Sequence, residues 1–439
     1  MKVDTLIIGG GISGLSVGHF LSKKKRDFLL LEAQDKTGGI IQTEIHKKLI
    51  CENGPNTILL NNTSIEQIIK DCGLWEDLIF PSENSEKNRF VFNNNKLTKI
   101  PLSLKEIIYT PILSLYGKLR LCFEIFVKKH KKDTTVFKFI KNRFGKEFHD
   151  KLIEPILSGI YAGKTKEMSS KHSIKLLWNL EQSHGSIIKG LFKIRKNKNK
   201  SKAFNFPSGL SQLTKAMGNS FSSKIRVDSS VSKIIKKDEG YEVSVNGNEI
   251  IYCNKIISTV PAYVLEKFIY DLNIKNILKK IKYCPIDVFH LGLKKEKIKN
   301  KIRGFGVLTK PDDKKKYLGI LFNSQIFSHV SSKKNELLTI MVGGENQKDL
   351  CRIESSKLEK IVVNEIKSLL NYEGEPFFKK KYRWKKAIPQ YNLNQEELVE
   401  KIKEFQKKNP NFYITGNYFN GVSVSDCVEK ANKLVEKFF

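Results

Sequence analysis

A chain of 439 residues is too long for one small domain, and 40% hydrophobic with 10% aromatic residues supplies the apolar surface of a packed core, so two or three domains are expected. Its net charge of +32 brings nucleic acid and acidic membranes into view, but the lysines fall in short scattered runs at 23–26, 128–132, 193–202 and 314–316, which reads mostly as solvated surface. Seven cysteines (Cys51, Cys72, Cys122, Cys253, Cys284, Cys351 and Cys427), odd in number and never spaced C-x-x-C, exclude a disulfide framework or thiolate metal site and read as buried free thiols. No stretch approaches the roughly 20 uninterrupted apolar residues of a membrane-spanning helix. The first residues enter a strand without a basic n-region or cleavage site, so a cytoplasmic chain with no removed leader is expected.

In chain order, residues 3–8 form a short apolar run ending in Gly9-Gly10-Gly11, and 12–21 follow with helical spacing: strand, tight turn, helix. A second apolar run, 28–31, ends at Glu32 and completes the strand-helix-strand unit of doubly wound parallel sheets. Residues 101–204 read as mainly helical, with apolar and basic residues mixed over 107–127 and a basic, Asn-rich close at 193–202. Strands are predicted at 224–235, 241–245 and 249–258, with a hairpin about Asn246-Gly247-Asn248. The remainder alternates strands and helices without internal repeat, and 414–429 (ITGNYFNGVSVSDCVE) reads as strand, glycine-rich turn and helix.

The G-x-G-x-x-G pattern at Gly9, Gly11 and Gly14 lets backbone amides approach a pyrophosphate at a helix N-terminus, and a side chain at Gly11 would block that approach. Glu32 stands 18 residues beyond Gly14 at the end of the next strand, where a carboxylate accepts hydrogen bonds from the adenosine ribose. NAD and FAD both use this arrangement, so the pattern alone leaves the choice open. The pair Gly38-Gly39 and the turn Glu52-Asn53-Gly54-Pro55 lie shortly downstream. On these features and the C-terminal segment, the chain resembles the FAD-containing amine oxidase superfamily. Within it, NRFVFNNNKLTKIP (88–101), LIEPILSGIYAG (152–163), LEQSHGSIIKGLF (180–192), FPSGLSQL (206–213), STVPAYVL (258–265), RGFGVL (303–308), LTIMVGG (338–344) and AIPQY (387–391) resemble the protoporphyrinogen oxidases, a group that includes the flavin-dependent coproporphyrinogen III oxidases.

The resemblance implies an α/β fold: a Rossmann-type FAD-binding domain (1–87, 205–262, 387–439), an α+β substrate domain (88–100, 263–386) and a mainly helical insert (101–204) that lies against a membrane. It implies FAD as cofactor, with contacts from Gly9, Gly11, Ile12, Ser13, Gly14, Glu32, Ala33, Gly38, Gly39, Ile40, Asn53, Gly54, Pro55, Asn56, Val231, Gly416, Val422, Ser423 and Val424. The amides about Val422 and Ser423 would sit at a helix N-terminus beneath the flavin ring, where the dipole favours the anionic reduced form. It further implies oxidation of protoporphyrinogen IX to protoporphyrin IX in haem biosynthesis, with dioxygen accepting the electrons. Arg89 would meet a substrate carboxylate, and Gly159, Phe305, Leu308 and Met341 would line the macrocycle slot; by periodicity alone those four are core residues.

No acid-base or nucleophile constellation appears, so no catalytic side chain is assigned; His172, His184 and His290 stand singly, metal-ligand spacing is absent, and Asp426 fits a helix cap. The chain departs from the family at Ile40, where arginine is common, at Ala431, where glycine is usual, and at Asn394-Gln395, where Gly-His often follows IPQY. Partners expected are the porphyrinogen, dioxygen, an anionic membrane surface on the cytoplasmic side and a second copy in a homodimer, without nucleic acid. Rival readings are coproporphyrinogen III oxidation to coproporphyrin III, another flavin amine oxidase or desaturase, and a non-enzymatic basic binding module.

Overall fold

The computed structural model describes residues 1–93, 96–194 and 202–439. Residues 195–201 of the basic run and 94–95 of the block at 88–101 lie outside the described residues.

The apolar strand Lys2–Ile8 sits at the centre of a seven-stranded sheet, hydrogen-bonded in parallel to Phe28–Leu31 on one side and Glu249–Ser258 on the other. Ile225–Arg226 extends the parallel row beyond Phe28–Leu31, and Phe412–Ile414 joins the C-terminal half of Glu249–Ser258. Alternation along Lys2–Ile8 sends Leu6 and Ile8 to one face and Ile7 to the other. On the Ile7 face, helices Ile12–Lys23, Thr63–Asp71, Ser211–Ser220 and Val424–Phe438 pack Leu15, Phe20, Ile68, Leu213, Val428 and Val435 into one core. On the Leu6 face, Ala262–Phe268, Leu272–Lys279 and Gln395–Lys408 do the same. The result is a helix-sheet-helix sandwich, the doubly wound α/β class read from the sequence.

The hairpin forms where expected: Tyr241–Val245 and Glu249–Ser258 run antiparallel and Val245 pairs with Glu249 across the three-residue loop Asn246-Gly247-Asn248, in which Asn246 at φ +50° and Gly247 at φ +81° are left-handed. The strand read at 224–235 is instead two, Ile225–Arg226 and Val231–Lys236, separated by a turn that puts Asp228 at φ +50°.

A second seven-stranded sheet orders Phe378–Pro389, Tyr283–Lys294, Asn335–Gly343, Gly319–Leu321, Gly306–Leu308, Arg89–Asn93 and Lys96–Lys99. Helix Ser355–Leu370 covers it through Leu358, Val362 and Ile366. Between Leu104 and Ile194 every regular element of the described chain is a helix, as expected of a mainly helical insert. The mixed apolar-basic stretch 107–127 is broken, because Thr110-Pro111 ends Leu104–Tyr109; a new helix, Leu115–Cys122, and a 3₁₀ turn, Phe123–Phe126, follow. This layer is pinned by Arg143, whose guanidinium reaches Glu124 at 2.9 Å and Glu181 at 2.6 Å, all three fully buried. All seven cysteines are free and five are buried; Cys72 is only partly buried and Cys122 is exposed, each standing at the C-terminal end of a helix.

Candidate active site

The first turn is built from backbone contacts that only glycine permits. Gly9 takes φ +105°, and a Cβ on Gly14 would overlap the Gly9 carbonyl oxygen, so the helix packs directly on the strand end. Gly11 differs: a Cβ there meets nothing closer than Gly39 Cα at 3.9 Å. The space beyond it is open. Helix Ile12–Lys23 has no side-chain cap and no acidic residue in its first turn, and among the described residues no acceptor takes the amides of Ile12, Ser13 or Gly14. Such a bare helix N-terminus favours an anion.

Glu32 accepts the Gly10 amide on one carboxylate oxygen at 2.6 Å and the Gln34 amide on the other at 2.9 Å, with lone pairs left for ribose hydroxyls. The Ser229 amide donates to the Glu32 carbonyl at 2.8 Å, which brings the strand opened by Val231 to the same end of the sheet, beside exposed Ala33. The glycine pair closes on the turn: the Gly38 amide donates to Gly10 O at 2.8 Å, and a Cβ on Gly39 would lie 3.1 Å from Gly11 Cα. Ile40 is 43% exposed, and the amides of Gly39 and Ile40 have no protein acceptor among the described residues. Behind them a Cβ on Gly54 would overlap Ile40 O, so 53–56, including Pro55, back the same loop. Asn53 donates to Glu44 at 2.7 Å while its buried Oδ1 has no partner; Asn56 Oδ1 accepts from Asn323 at 3.0 Å.

The C-terminal segment returns to this groove. The Thr259 hydroxyl donates to the Ile8 and Gly9 carbonyls, 2.9 Å from each, and the carbonyl of the same residue lies 3.8 Å from where a Cβ on Gly416 would stand; Gly416 takes φ +153°. Ser423 caps helix Val424–Phe438 as half of a capping box with Asp426, the capping role expected for Asp426. The box changes one expectation: the Ser423 amide is committed to the Asp426 carboxylate at 3.2 Å, while the amides of Val422 and Val424 on either side have no protein acceptor among the described residues.

The second group of residues gathers on the other sheet. Gly306 pairs with Arg89 and Gly319 with Met341, so three neighbouring strand connections carry Arg89, Phe305, Leu308 and Met341. The Arg89 guanidinium lies 4.5 Å from the Phe305 ring centroid. The side chain touches solvent, yet the atoms crowding it lower its pKa, and a guanidinium keeps its charge regardless. A Cβ on Gly159 would stand 2.5 Å from Leu308 Cδ2, so the helix Glu154–Tyr161 touches the sheet here because position 159 has no side chain. Phe305, Leu308, Met341 and Gly159 are all partly accessible, which a pure core would not require. Two links run from these residues toward the groove: Val422 packs against the cluster that holds Leu157 and Tyr161 of the Gly159 helix, and Met341 and Trp384 pack from different strands against one cluster about Ile286 and Val288, with the Trp384 indole N–H donating to Asn53 O at 2.7 Å.

Several residues of this region carried no sequence signal. Thr259 lay inside a quoted block without a role. Lys430, on an amphipathic helix, had the pattern of a surface lysine. Glu52 is buried beneath the loop, accepts from Thr43 at 2.7 Å and Leu210 N at 2.8 Å, and burial pushes its pKa up to about 7. Of the single histidines, His172 meets Glu396 at 2.8 Å, and burial pulls His290 down to about 4, leaving it neutral beside Thr339. His149, Asp150 and Glu154 bring ligand atoms together in space, but Thr165 and Lys146 already engage the first two.

A strand-turn-helix with a bare helix N-terminus, an acidic residue at the next strand end and an adjoining apolar slot define a dinucleotide-dependent oxidoreductase. The profile of the family "Flavin containing amine oxidoreductase" matches residues 12–435. Protoporphyrinogen oxidase 2, chloroplastic/mitochondrial, of Arabidopsis thaliana is 28% identical over 474 residues, covering 98% of this chain and 92% of its own. The coproporphyrinogen III oxidase of Bacillus subtilis (strain 168) is 25% identical over 460 residues, covering 99% and 97%. A crystal structure from Exiguobacterium sp. 255-15, provisionally assigned to the protoporphyrinogen oxidases, superposes with a TM-score of 0.84 at 20% identity over 99% of this chain and 98% of that one. The chain belongs to the flavin-containing amine oxidoreductase family; it is a flavin oxidoreductase and its cofactor is FAD.

Proposed function

We infer that this flavoenzyme oxidises a porphyrinogen to the porphyrin, with protoporphyrinogen IX as substrate and dioxygen as the final acceptor. The observation that carries the reading is the cluster on the second sheet: the Arg89 guanidinium 4.5 Å from the Phe305 ring centroid, the partly accessible apolar side chains of Leu308 and Met341, and a glycine at 159 where a Cβ would overlap Leu308. Bound FAD supplies the two-electron oxidation itself. The chain's part is placement. Arg89 suits a propionate through its planar fork. On this reading Phe305, Leu308 and Met341 hold a flat apolar ring and exclude water. The groove contacts at Gly9, Gly11 to Gly14, Glu32 and Ala33, Gly38 to Ile40, Asn53 to Asn56, Val231, Gly416, Val422 and Val424 are assigned to FAD on the same reading, with Ser423 holding the helix cap between the last two. No acid-base side chain is assigned.

Coproporphyrinogen III is the second reading, favoured by the near-complete mutual coverage with the Bacillus subtilis and Staphylococcus aureus coproporphyrinogen III oxidases. Turnover of both porphyrinogens by the purified protein, followed by porphyrin fluorescence, decides between them. Activity with neither contradicts the proposal.

The division into an FAD-binding part (1–87, 205–262, 387–439), a substrate part (88–100, 263–386) and a helical insert (101–204) is supported by sheet membership. Every strand of the first sheet falls in the first set, and the second sheet departs only where Phe378–Pro389 runs past 386.

Among the described residues no helix is long and apolar enough to cross a membrane. We propose that the insert rests on an anionic bilayer surface, on the cytoplasmic side. Ile108, Tyr109, Leu115, Tyr116, Phe123 and Phe126 are between 59% and 77% exposed within one short stretch, beside Lys105, Lys118 and Lys128. Flotation with anionic liposomes is expected to carry the protein in a salt-sensitive manner; absence of binding contradicts this placement.

A further inference from the structure

The turn from Gly416 to Val422 has two unlike faces. Lys430, in the second turn of the C-terminal helix, reaches back with Nζ 2.5 Å from Gly416 O, 2.7 Å from Phe419 O and 2.8 Å from Gly421 O. The Tyr391 hydroxyl donates to Asn417 O at 2.7 Å, and Gln395 Nε2 donates to Tyr418 O at 2.8 Å. Three side chains thus gather five carbonyls on one side. In a trans peptide the carbonyl and the following amide point in opposite directions. The amides of Asn417, Tyr418, Phe419, Asn420 and Val422 are therefore turned the other way, and none of them meets a protein acceptor among the described residues.

We propose that Lys430, with Gln395 and Tyr391, is a positioning residue that turns this amide face toward FAD. Lys430 is suited to the task because one ammonium satisfies three diverging carbonyls, which a neutral donor cannot do. Its direct acceptors are carbonyls rather than a carboxylate, and its charge adds to the positive potential of the amides and the helix N-terminus. It also opposes the Asp426 carboxylate, which the capping box places against the same turn. Crowding by protein atoms lowers the lysine's pKa, in keeping with an ammonium that trades water for carbonyls. Gln395 supplies a donor where the family resemblance led one to expect histidine, and so that departure keeps a role in the same turn.

The inference rests on FAD lying in the groove and not on the identity of the porphyrinogen. Its test is Lys430→Met, read by FAD titration of the apoprotein and by the reduction potential of the bound flavin. Lys433→Met is the control, since Lys433 faces outward at 72% side-chain exposure. The expected result is about tenfold weaker FAD binding. A further loss of about tenfold in preference for the reduced flavin, about 30 mV lower for a two-electron couple, is expected beside it. Lys433→Met should match wild type in both. Unchanged affinity and potential in Lys430→Met overturn the proposal. Should Lys430→Met fail to fold, Tyr391→Phe removes only the hydroxyl that bridges Asn417 O and the Gly421 amide. It is expected to shift both quantities the same way, and unchanged values again overturn the proposal. A wild-type protein that takes up no FAD would instead overturn the groove assignment itself, a distinct outcome.

Discussion

Replacing Gly11 by alanine separates the ligand from the fold. Gly11 sits at φ −72° and ψ −178°, a backbone that alanine adopts freely, and its Cβ would meet no protein atom nearer than 3.9 Å. Loss of the glycine N-cap costs about 0.5–1 kcal/mol, and the smaller unfolded-state entropy of alanine returns about 0.4–1 kcal/mol. The apoprotein should therefore keep its stability to within about 1 kcal/mol. Against a diphosphate the same methyl stands between the ligand and the bare amides of Ile12 to Gly14. Losing two charge-assisted hydrogen bonds at about 1.5–3 kcal/mol each weakens FAD binding by about 3–6 kcal/mol, roughly 10²–10⁴-fold. Quenching of flavin fluorescence on titrating apoprotein measures the affinity, and thermal unfolding of the apoprotein measures the fold. Gly14→Ala, whose Cβ overlaps Gly9 O, should lose both together. A Gly11→Ala protein that binds FAD within a factor of about 3 of wild type would show that the diphosphate does not lie on this turn.

Gly159→Ala forces Leu308 Cδ2 back from a 2.5 Å contact into the slot, at an overpacking cost of about 1–3 kcal/mol. The KM for porphyrinogen should rise about 5- to 150-fold, and Leu308→Ala in the same chain should restore most of it; additive effects would refute the contact. Glu52, whose folded pKa of about 7 lies above the ordinary 4.5, contributes stability that is present below the lower value and lost as pH rises through the higher. Glu52→Gln should therefore be the more stable protein at pH ~8 by about 1–3 kcal/mol and nearly equal to wild type at pH ~4.5 in urea unfolding; a pH-independent difference would contradict this. Arg143→Met leaves Glu124 and Glu181 buried without their cation, and should destabilise the helical layer by about 3–5 kcal/mol in the same assay. Its FAD affinity should stay that of wild type.

What was legible in the sequence follows from the range over which each feature is determined. The strand, glycine turn, helix and Glu32 lie within one short stretch, and their chemistry is backbone chemistry, so residue type at fixed spacing suffices to read them. The 246–248 hairpin is equally local. The slot was not readable from pattern, because Arg89, Gly159, Phe305 and Met341 meet only through strand register set across some 250 residues; the family resemblance supplied them. The stretch 107–127 reads by composition as helical with apolar and basic residues mixed, and its helix boundaries are set by the Thr110-Pro111 step that ends Leu104–Tyr109. Lys430 was invisible for a different reason. A lysine at a helical position is almost always solvated, and no spacing rule signals that the turn leading into its own helix folds three carbonyls back onto its ammonium.

The central claim, that a flavin in the groove is reduced by a macrocycle in the neighbouring slot, is tested most directly by anaerobic mixing of the purified yellow protein with protoporphyrinogen IX or coproporphyrinogen III. Bleaching of the flavin absorbance with matching growth of porphyrin fluorescence is the predicted result, and Arg89→Met should slow it at low substrate. A protein that holds FAD firmly but whose colour neither porphyrinogen discharges would contradict the account.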